Sequence, residues 1–288
     1  MTYSQKYDTI TYRDTGDGLT PVVKQLGQGG LLLFNGPNRL FDPIADNVQV
    51  VENPLYAETR ERNTSGIWFG DMTATVGDEK VFSRPVAVKP LGPAWNAVDE
   101  VRIAQAINAI GTDGFSDMAA SPVTFQPIGI ANSGEEGFSV VTGFEEEVES
   151  FDNILQREGG GHPRQVEAAL AYAAAALIFL HANRFNHLDY QIKNTASDGI
   201  SSRVIDVTTV KRRGDVSVRN VEDFLDDIDT YVNSVAGNYE LNGVDKTMMH
   251  DTFIDYYLAC IADIFPKELQ GRVRHRIKSI VDNAYTQV

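Results

Sequence analysis

The sequence predicts an α+β chain in two parts: a β-rich first half with one helix, then a helical second half. Three observations predict it. Strand-like runs broken by glycine turns dominate residues 48–143. An acidic stretch, Phe144-Glu145-Glu146-Glu147-Val148-Glu149, follows directly. Beyond it, long segments take on helical spacing. The length of 288 residues fits two domains or one domain with two lobes, and is enough to bury a core without staples.

In chain order, residues 1–47 carry turn signals at Thr15-Gly16-Asp17-Gly18 and Asn35-Gly36-Pro37-Asn38, and one apolar run, Leu31-Leu32-Leu33-Phe34. They read as an N-terminal extension, either wrapping the rest or adding a small layer. Val48-Gln49-Val50-Val51 is a strand. Residues 67–76 and 81–91 flank Gly77-Asp78 and read as a hairpin. A helix follows over 94–110, with Val101, Ala104, Ile107 and Ile110 near helical spacing and Gly111 as its stop. Two more strands, 123–131 and 137–142, complete an N-lobe of residues 48–143.

Residues 144–150 read as a hinge, and 151–288 as a helical C-lobe. Gly159-Gly160-Gly161-His162-Pro163 breaks the chain before an Ala-rich helix over 165–183 that holds no Gly or Pro. Residues 220–236 form an amphipathic helix with Val221, Phe224, Leu225, Ile228, Val232 and Val235 on one stripe and Asn220 as candidate N-cap. Residues 247–265 and 267–284 read as two further helices.

Charge narrows the function classes. Lys and Arg number 25 and Asp and Glu 40, a net charge of −15. Such a chain repels phosphate backbones and anionic lipid, which argues against nucleic-acid and membrane partners. A small anion held locally by metal ions and a few lysines remains compatible. No run is expected to reach the roughly 18 apolar residues of a membrane span. The start, MTYSQKYDTITYRD, has no apolar stretch behind a basic flank. The single cysteine, Cys260, excludes an internal disulfide and a cysteine-built zinc site. A cytoplasmic location is the expectation.

The chemistry concentrates after the Ala-rich helix. His187-Leu188-Asp189-Tyr190-Gln191-Ile192-Lys193-Asn194 holds the pattern H-x-D-x-x-x-x-N, and Val204-Ile205-Asp206 is a short apolar strand closing on a carboxylate. Phosphoryl transfer wants this set: one carboxylate to accept the proton of an attacking hydroxyl, and an amide and a second carboxylate to hold Mg²⁺ on the phosphates. Asp189 fits the first role; Asn194 and Asp206 fit the second. Hard oxygen ligands suit Mg²⁺. Earlier in the chain, Lys89 follows Val86-Ala87-Val88, a strand apolar enough that an unpaired lysine there is costly.

These segments resemble the protein-kinase-like superfamily, whose catalytic loop is H-R-D-x-x-x-x-N followed by a metal-binding Asp in D-F-G. Pro85-Val86-Ala87-Val88-Lys89 resembles the family's V-A-I-K. The resemblance covers about residues 48–236 and implies a bilobal fold with ATP between the lobes. It implies that Lys89 holds the α- and β-phosphates and that Glu100, on the following helix, pairs with it; Asp99 is the neighbouring alternative. It implies that His187 braces the loop, that backbone near Phe144 and Glu145 meets the adenine, and that Ser65 and Gly66 cover the phosphates.

Several features depart from the family pattern. Val207 and Thr208 stand where Phe-Gly is expected. Leu26-Gly27-Gln28-Gly29-Gly30 lies about 60 residues before Lys89, too far for one hairpin. The loop in the right place, Arg60-Glu61-Arg62-Asn63-Thr64-Ser65-Gly66, is not glycine-rich. Gln191 replaces the catalytic-loop lysine, and Lys193 lies two positions later. The stretch from Asp206 to the next helix is short and no A-P-E follows, which reduces any peptide platform.

Blander readings cover the rest. Lys211-Arg212-Arg213 reads as a solvated loop, with a sharper alternative of binding an anionic substrate or a phosphorylated Thr208, Thr209 or Ser217. Arg272, Arg274, Arg276 and Lys278 read as a solvated helix face. His162, His250 and His275 lack metal-ligand spacing, and Cys260 reads as core. The expected function is Mg-ATP-dependent transfer of the γ-phosphoryl group to a hydroxyl, as in an atypical protein Ser/Thr kinase. The alternatives are an aminoglycoside- or choline-kinase-type enzyme and a non-catalytic pseudokinase.

Overall fold

A computed structural model describes residues 2–6, 19–34, 47–58, 66–111, 124–144, 148–156, 163–197, 202–238 and 243–286. The chain divides into two compact units, Met1–Ala106 with Phe125–Glu146, and Ile107–Thr124 with Glu147–Val288. The first is β-rich with one long helix and the second mainly helical, the α+β class that the sequence predicts.

The first unit contains, in order, β1 (Thr2–Lys6), α1 (Leu19–Lys24), β2 (Leu31–Leu33), β3 (Asn47–Glu52), α2 (Pro54–Glu58), β4 (Trp68–Val76), β5 (Glu79–Gly92), all but the end of α3 (Ala94–Gly111), β6 (Pro127–Asn132) and β7 (Phe138–Gly143). The seven strands form one sheet in the order β1-β3-β4-β5-β7-β6-β2, antiparallel at every step. The expected hairpin is β4–β5. Gly77 turns it with φ +57, a conformation glycine adopts without steric cost.

Both faces of this sheet are covered. Leu31, Val48, Val50, Met72, Ala74, Val86, Val88 and Val141 cluster on one. Leu32, Phe34, Ile130 and Val140 pack on the other against Leu19 and Val23 of α1 and Ala97, Val98 and Val101 of α3. Successive strand residues point to opposite faces, so double coverage makes the strands read as continuous apolar runs.

Residues 1–47 were read as an extension that wraps the rest or adds a small layer, and the described part of that segment contributes strands. Its strands β1 and β2 are the two edges of the main sheet. In β2, Leu31 pairs with Ala131, a contact too distant along the chain for local pattern to reveal.

The second unit adds β8 (Glu149–Ser150), α4 (Phe151–Gln156), α5 (Pro163–Ala182), β9 (Phe185–Asn186), β10 (Thr195–Ser197), β11 (Ser202–Val204), β12 (Lys211–Arg212) and α6 (Val221–Ala236). α5 is its core helix: Leu170, Ala174, Leu177 and Leu180 are fully buried. By length and composition this helix is apolar enough to cross a membrane, contrary to the sequence expectation. Its apolar surface is mostly buried inside the protein, which accounts for that composition.

The stripe predicted on α6 is buried throughout. Asn220 does not cap α6 with its side chain. Instead Oδ1 accepts from the Ser217 N–H at 2.7 Å, and Nδ2 donates to the Asp215 carbonyl at 3.2 Å. The helix expected over 247–265 is broken. It runs as Lys246–Met248, a π-helical turn Met249–Ile254, then Asp255–Ala259 and Ile261–Ile264. Cys260 sits at the last break, half-buried rather than in the core, because the helix ends there. Burial still pushes its thiol pKa up, with Asp263 adding to the effect. Lys267–Ala284 forms the final helix.

Candidate active site

In the second unit, β9 leads out of α5 into the segment His187-Leu188-Asp189. Arg184 and Leu188 adopt φ of +67 and +62, values uncommon for residues with a Cβ. The strained turn is tied down by Asp227 of α6, which is wholly buried. Its Oδ2 accepts the His187 N–H at 2.8 Å and its Oδ1 the Leu188 N–H at 2.7 Å. Oδ2 also lies 3.0 Å from His181 Nε2, and His181 Nδ1 lies 2.6 Å from the Tyr257 hydroxyl. Burial pushes the Asp227 carboxyl up. The hydrogen bond and charge of His181, with the His187 N–H, outweigh burial and hold it below the ordinary carboxylate value. A further anchor is Tyr190, buried and donating to the Ala173 carbonyl at 2.6 Å.

Asp189 follows this anchored backbone and is half-buried. Its Oδ1 accepts a short hydrogen bond from Gln191 Nε2, and its Oδ2 accepts from Asn194 Nδ2 at 2.9 Å. The same Asn194 nitrogen donates to the Asp189 carbonyl at 2.8 Å. Asn194 is buried, and its Oδ1 is the amide atom suited to a cation. Gln191 therefore stands beside Asp189 as a neutral amide, whereas Lys193 is exposed.

Asp206 reaches the same end of a strand ribbon as Asn194. β10 and β11 are antiparallel, with Thr195 opposite Val204, and the Ile205 N–H donates to the Asn194 carbonyl at 2.9 Å. Asn194 and Ile205-Asp206 are thus the residues immediately beyond one end of the ladder. Asp206 Oδ1 accepts a short hydrogen bond from the Thr208 hydroxyl and the Thr208 N–H at 3.2 Å. Val207, in the position of the expected Phe, is buried. An amide oxygen and a carboxylate at one ribbon end, both hard ligands, fit a Mg²⁺ ion that keeps several waters.

In the first unit, Lys89 Nζ lies 3.0 Å from Glu100 Oε2, with side-chain exposures of 15% and 6%. Asp99 is exposed, so the helical register selects Glu100. Gly66 takes φ +71 and lies just before β4. Phe144 is buried; its N–H donates to the Pro85 carbonyl at 3.2 Å, so that N–H is already committed. Ser65 and Glu145 lie outside the described residues.

Of the other candidates, Arg213 pairs with Asp223 at 3.1 Å and Arg212 sits 5.9 Å over the Phe185 ring, while Lys211 is exposed. His250 stands with Asp251 and Asp255, their ligand atoms within 4.8 Å. This grouping was not evident from spacing, because a π-helical turn aligns residues five apart. Sequence reasoning missed Asp227. Its signal was a carboxylate placed inside the apolar stripe, beside Ile228.

No family model matches the chain, and no curated protein matches it. A solved structure described as WaaP in complex with acyl carrier protein is similar over 78% of this chain and 87% of that chain, at 17% identity and a TM-score of 0.43. The functional reading therefore comes from the residues themselves.

Proposed function

We propose that the protein transfers the γ-phosphoryl group of ATP to a hydroxyl acceptor with Mg²⁺. One observation carries the reading: Asp189, Asn194 and Asp206 gather around one end of the β10–β11 ribbon, with Asn194 hydrogen-bonded to Asp189. The buried Lys89–Glu100 pair is its counterpart in the first unit. When bound, Mg²⁺ supplies charge neutralisation on the phosphates. Asn194 and Asp206 hold it, and Lys89, oriented by Glu100, holds phosphate oxygens. Asp189 orients the acceptor hydroxyl and takes its proton. The acceptor oxygen forms the new bond to phosphorus, the bond to the β-phosphate oxygen breaks, and ADP leaves.

A small-molecule acceptor is favoured over a protein one by the segment 207–220. It contains a turn, the two-residue β12 paired with β9, and a second turn before α6. A protein Ser/Thr acceptor is the second reading. Incubation with γ-labelled and α-labelled ATP, with and without cell extract, tests both. Transfer of the γ label alone, to small molecules or to protein, supports phosphoryl transfer and identifies the acceptor class. Retention of both labels on nucleotide, or transfer of the α label, overturns it.

A further inference from the structure

Asp189 lies between two anchored neighbours, and both anchors lead to one short stretch of helix. Before it, the Leu188 N–H donates to Asp227 Oδ1, and Asp227 Oδ2 lies 3.0 Å from His181 Nε2. His181 Nδ1 in turn lies 2.6 Å from the Tyr257 hydroxyl. After it, the Tyr190 ring lies 5.2 Å from the ring of Tyr231, which stacks on Phe253 at 4.6 Å and 14°. Phe253 belongs to the π-helical turn Met249–Ile254, and Tyr257 to the helix Asp255–Ala259 that continues it.

The wide turn lets one stretch reach both anchors. Residues four apart in an α-helix drift by about 40° around the axis. Here the Asp255 N–H donates to the His250 carbonyl, five residues back, which takes up that drift. Met249, Phe253 and Tyr257, at steps of four, are all fully buried.

Burial, with the charge of Asp227, pushes the Tyr257 phenol well above its ordinary value, so the O–H stays intact at neutral pH. That hydroxyl suits either state of the imidazole: it donates to a bare Nδ1 and accepts from an Nδ1–H. His181 is wholly buried, so without the hydroxyl its Nδ1 has no water to turn to. A rotation or change of tautomer that finds Nδ1 another partner draws Nε2 from Asp227, and the carboxylate that holds Leu188 loses a donor.

We propose that Tyr257 is a positioning residue for the proposed base: through His181 and Asp227 it fixes the backbone at Leu188, while Phe253 steadies Tyr190 on the other side, so that Asp189 meets the acceptor hydroxyl. This role rests on the phosphotransfer reading above and adds to it a support outside the catalytic loop.

Transfer of γ-labelled phosphate from Mg-ATP by the full chain, with cell extract supplying the acceptor, tests it over a range of ATP concentrations. Tyr257→Phe lowers the rate at saturating ATP by about tenfold or more, as small misplacements far from the chemistry do. The KM for ATP changes by no more than about twofold. Phe253→Leu stays apolar but removes the stack, and lowers the rate by about threefold or more. In an Asp189→Asn background Tyr257→Phe costs no more than about twofold, because residues that act as a unit are not additive. Melting curves show which variants are folded at the assay temperature, and Phe253→Leu carries the test if Tyr257→Phe is not. An unchanged rate, a loss confined to KM, or an equal loss in the two backgrounds overturns the positioning role alone. A wild type that transfers no γ label, or an Asp189→Asn variant as fast as wild type, overturns the phosphotransfer reading and the positioning role together.

Discussion

Asp227 accepts the backbone N–H of Leu188 at 2.7 Å, and Leu188 holds φ at +62 directly before Asp189. A carboxylate on one helix thus fixes an uncommon backbone conformation that aims the proposed base from another segment. Such conformations cost on the order of 1–3 kcal/mol and persist where the surroundings over-determine them. Here the surroundings are two backbone donors and His181, all meeting one buried carboxylate.

Asp227→Asn lowers stability and flattens its acid dependence. The folded pKa of Asp227 lies below its unfolded value. Its stabilising contribution is therefore present above the ordinary carboxylate value of about 4 and is lost as pH falls through the folded value. Removing one partner of a buried network costs on the order of 3 kcal/mol. Urea unfolding between neutral and acid pH checks this. The variant is less stable at neutral pH, and its deficit shrinks as the wild type is acidified.

Lys89→Met and Glu100→Gln each leave a partner in a site with little solvent access. Each single variant is less stable by about 1–3 kcal/mol, and the double variant by less than the sum. Thermal melting of the four proteins measures the coupling.

Asp189→Asn preserves the shape of the site and removes the proposed proton acceptor. Turnover falls on the order of 100- to 10,000-fold while nucleotide affinity is retained, the usual scale of general-base catalysis. Single-turnover kinetics beside equilibrium binding separates the two.

Thr208→Val removes the hydroxyl that holds Asp206 Oδ1. Partners of this kind orient metal ligands, and their loss costs about tenfold or more in metal affinity. Mn²⁺ titration followed by electron paramagnetic resonance shows weaker binding, and Thr208→Ser restores it.

Local pattern made much of the architecture legible. The β4–β5 hairpin carries its Gly77-Asp78 turn, α3 and α5 carry helical composition, and the α6 stripe carries its spacing. Glu100 and Asp99 were not separable by pattern, because adjacent helical positions differ only in the face that tertiary packing buries. The edge strands β1 and β2 were hidden because their partners lie far along the chain. His181, Asp227 and Tyr257 belong to a cluster assembled from three helices, which no single segment displays. Gln191 was visible in the sequence beside Asp189, but its contact with that carboxylate required the folded loop.

The proposed phosphotransfer requires Lys89 and Asp206 to act on one magnesium-bound nucleotide. A double-mutant cycle on Mg-ATP affinity with Lys89→Met and Asp206→Asn tests it most directly. Each variant weakens binding, and the pair is non-additive by at least about 0.5 kcal/mol. Strictly additive losses, or Mg-ATP affinity indifferent to either residue, would contradict it.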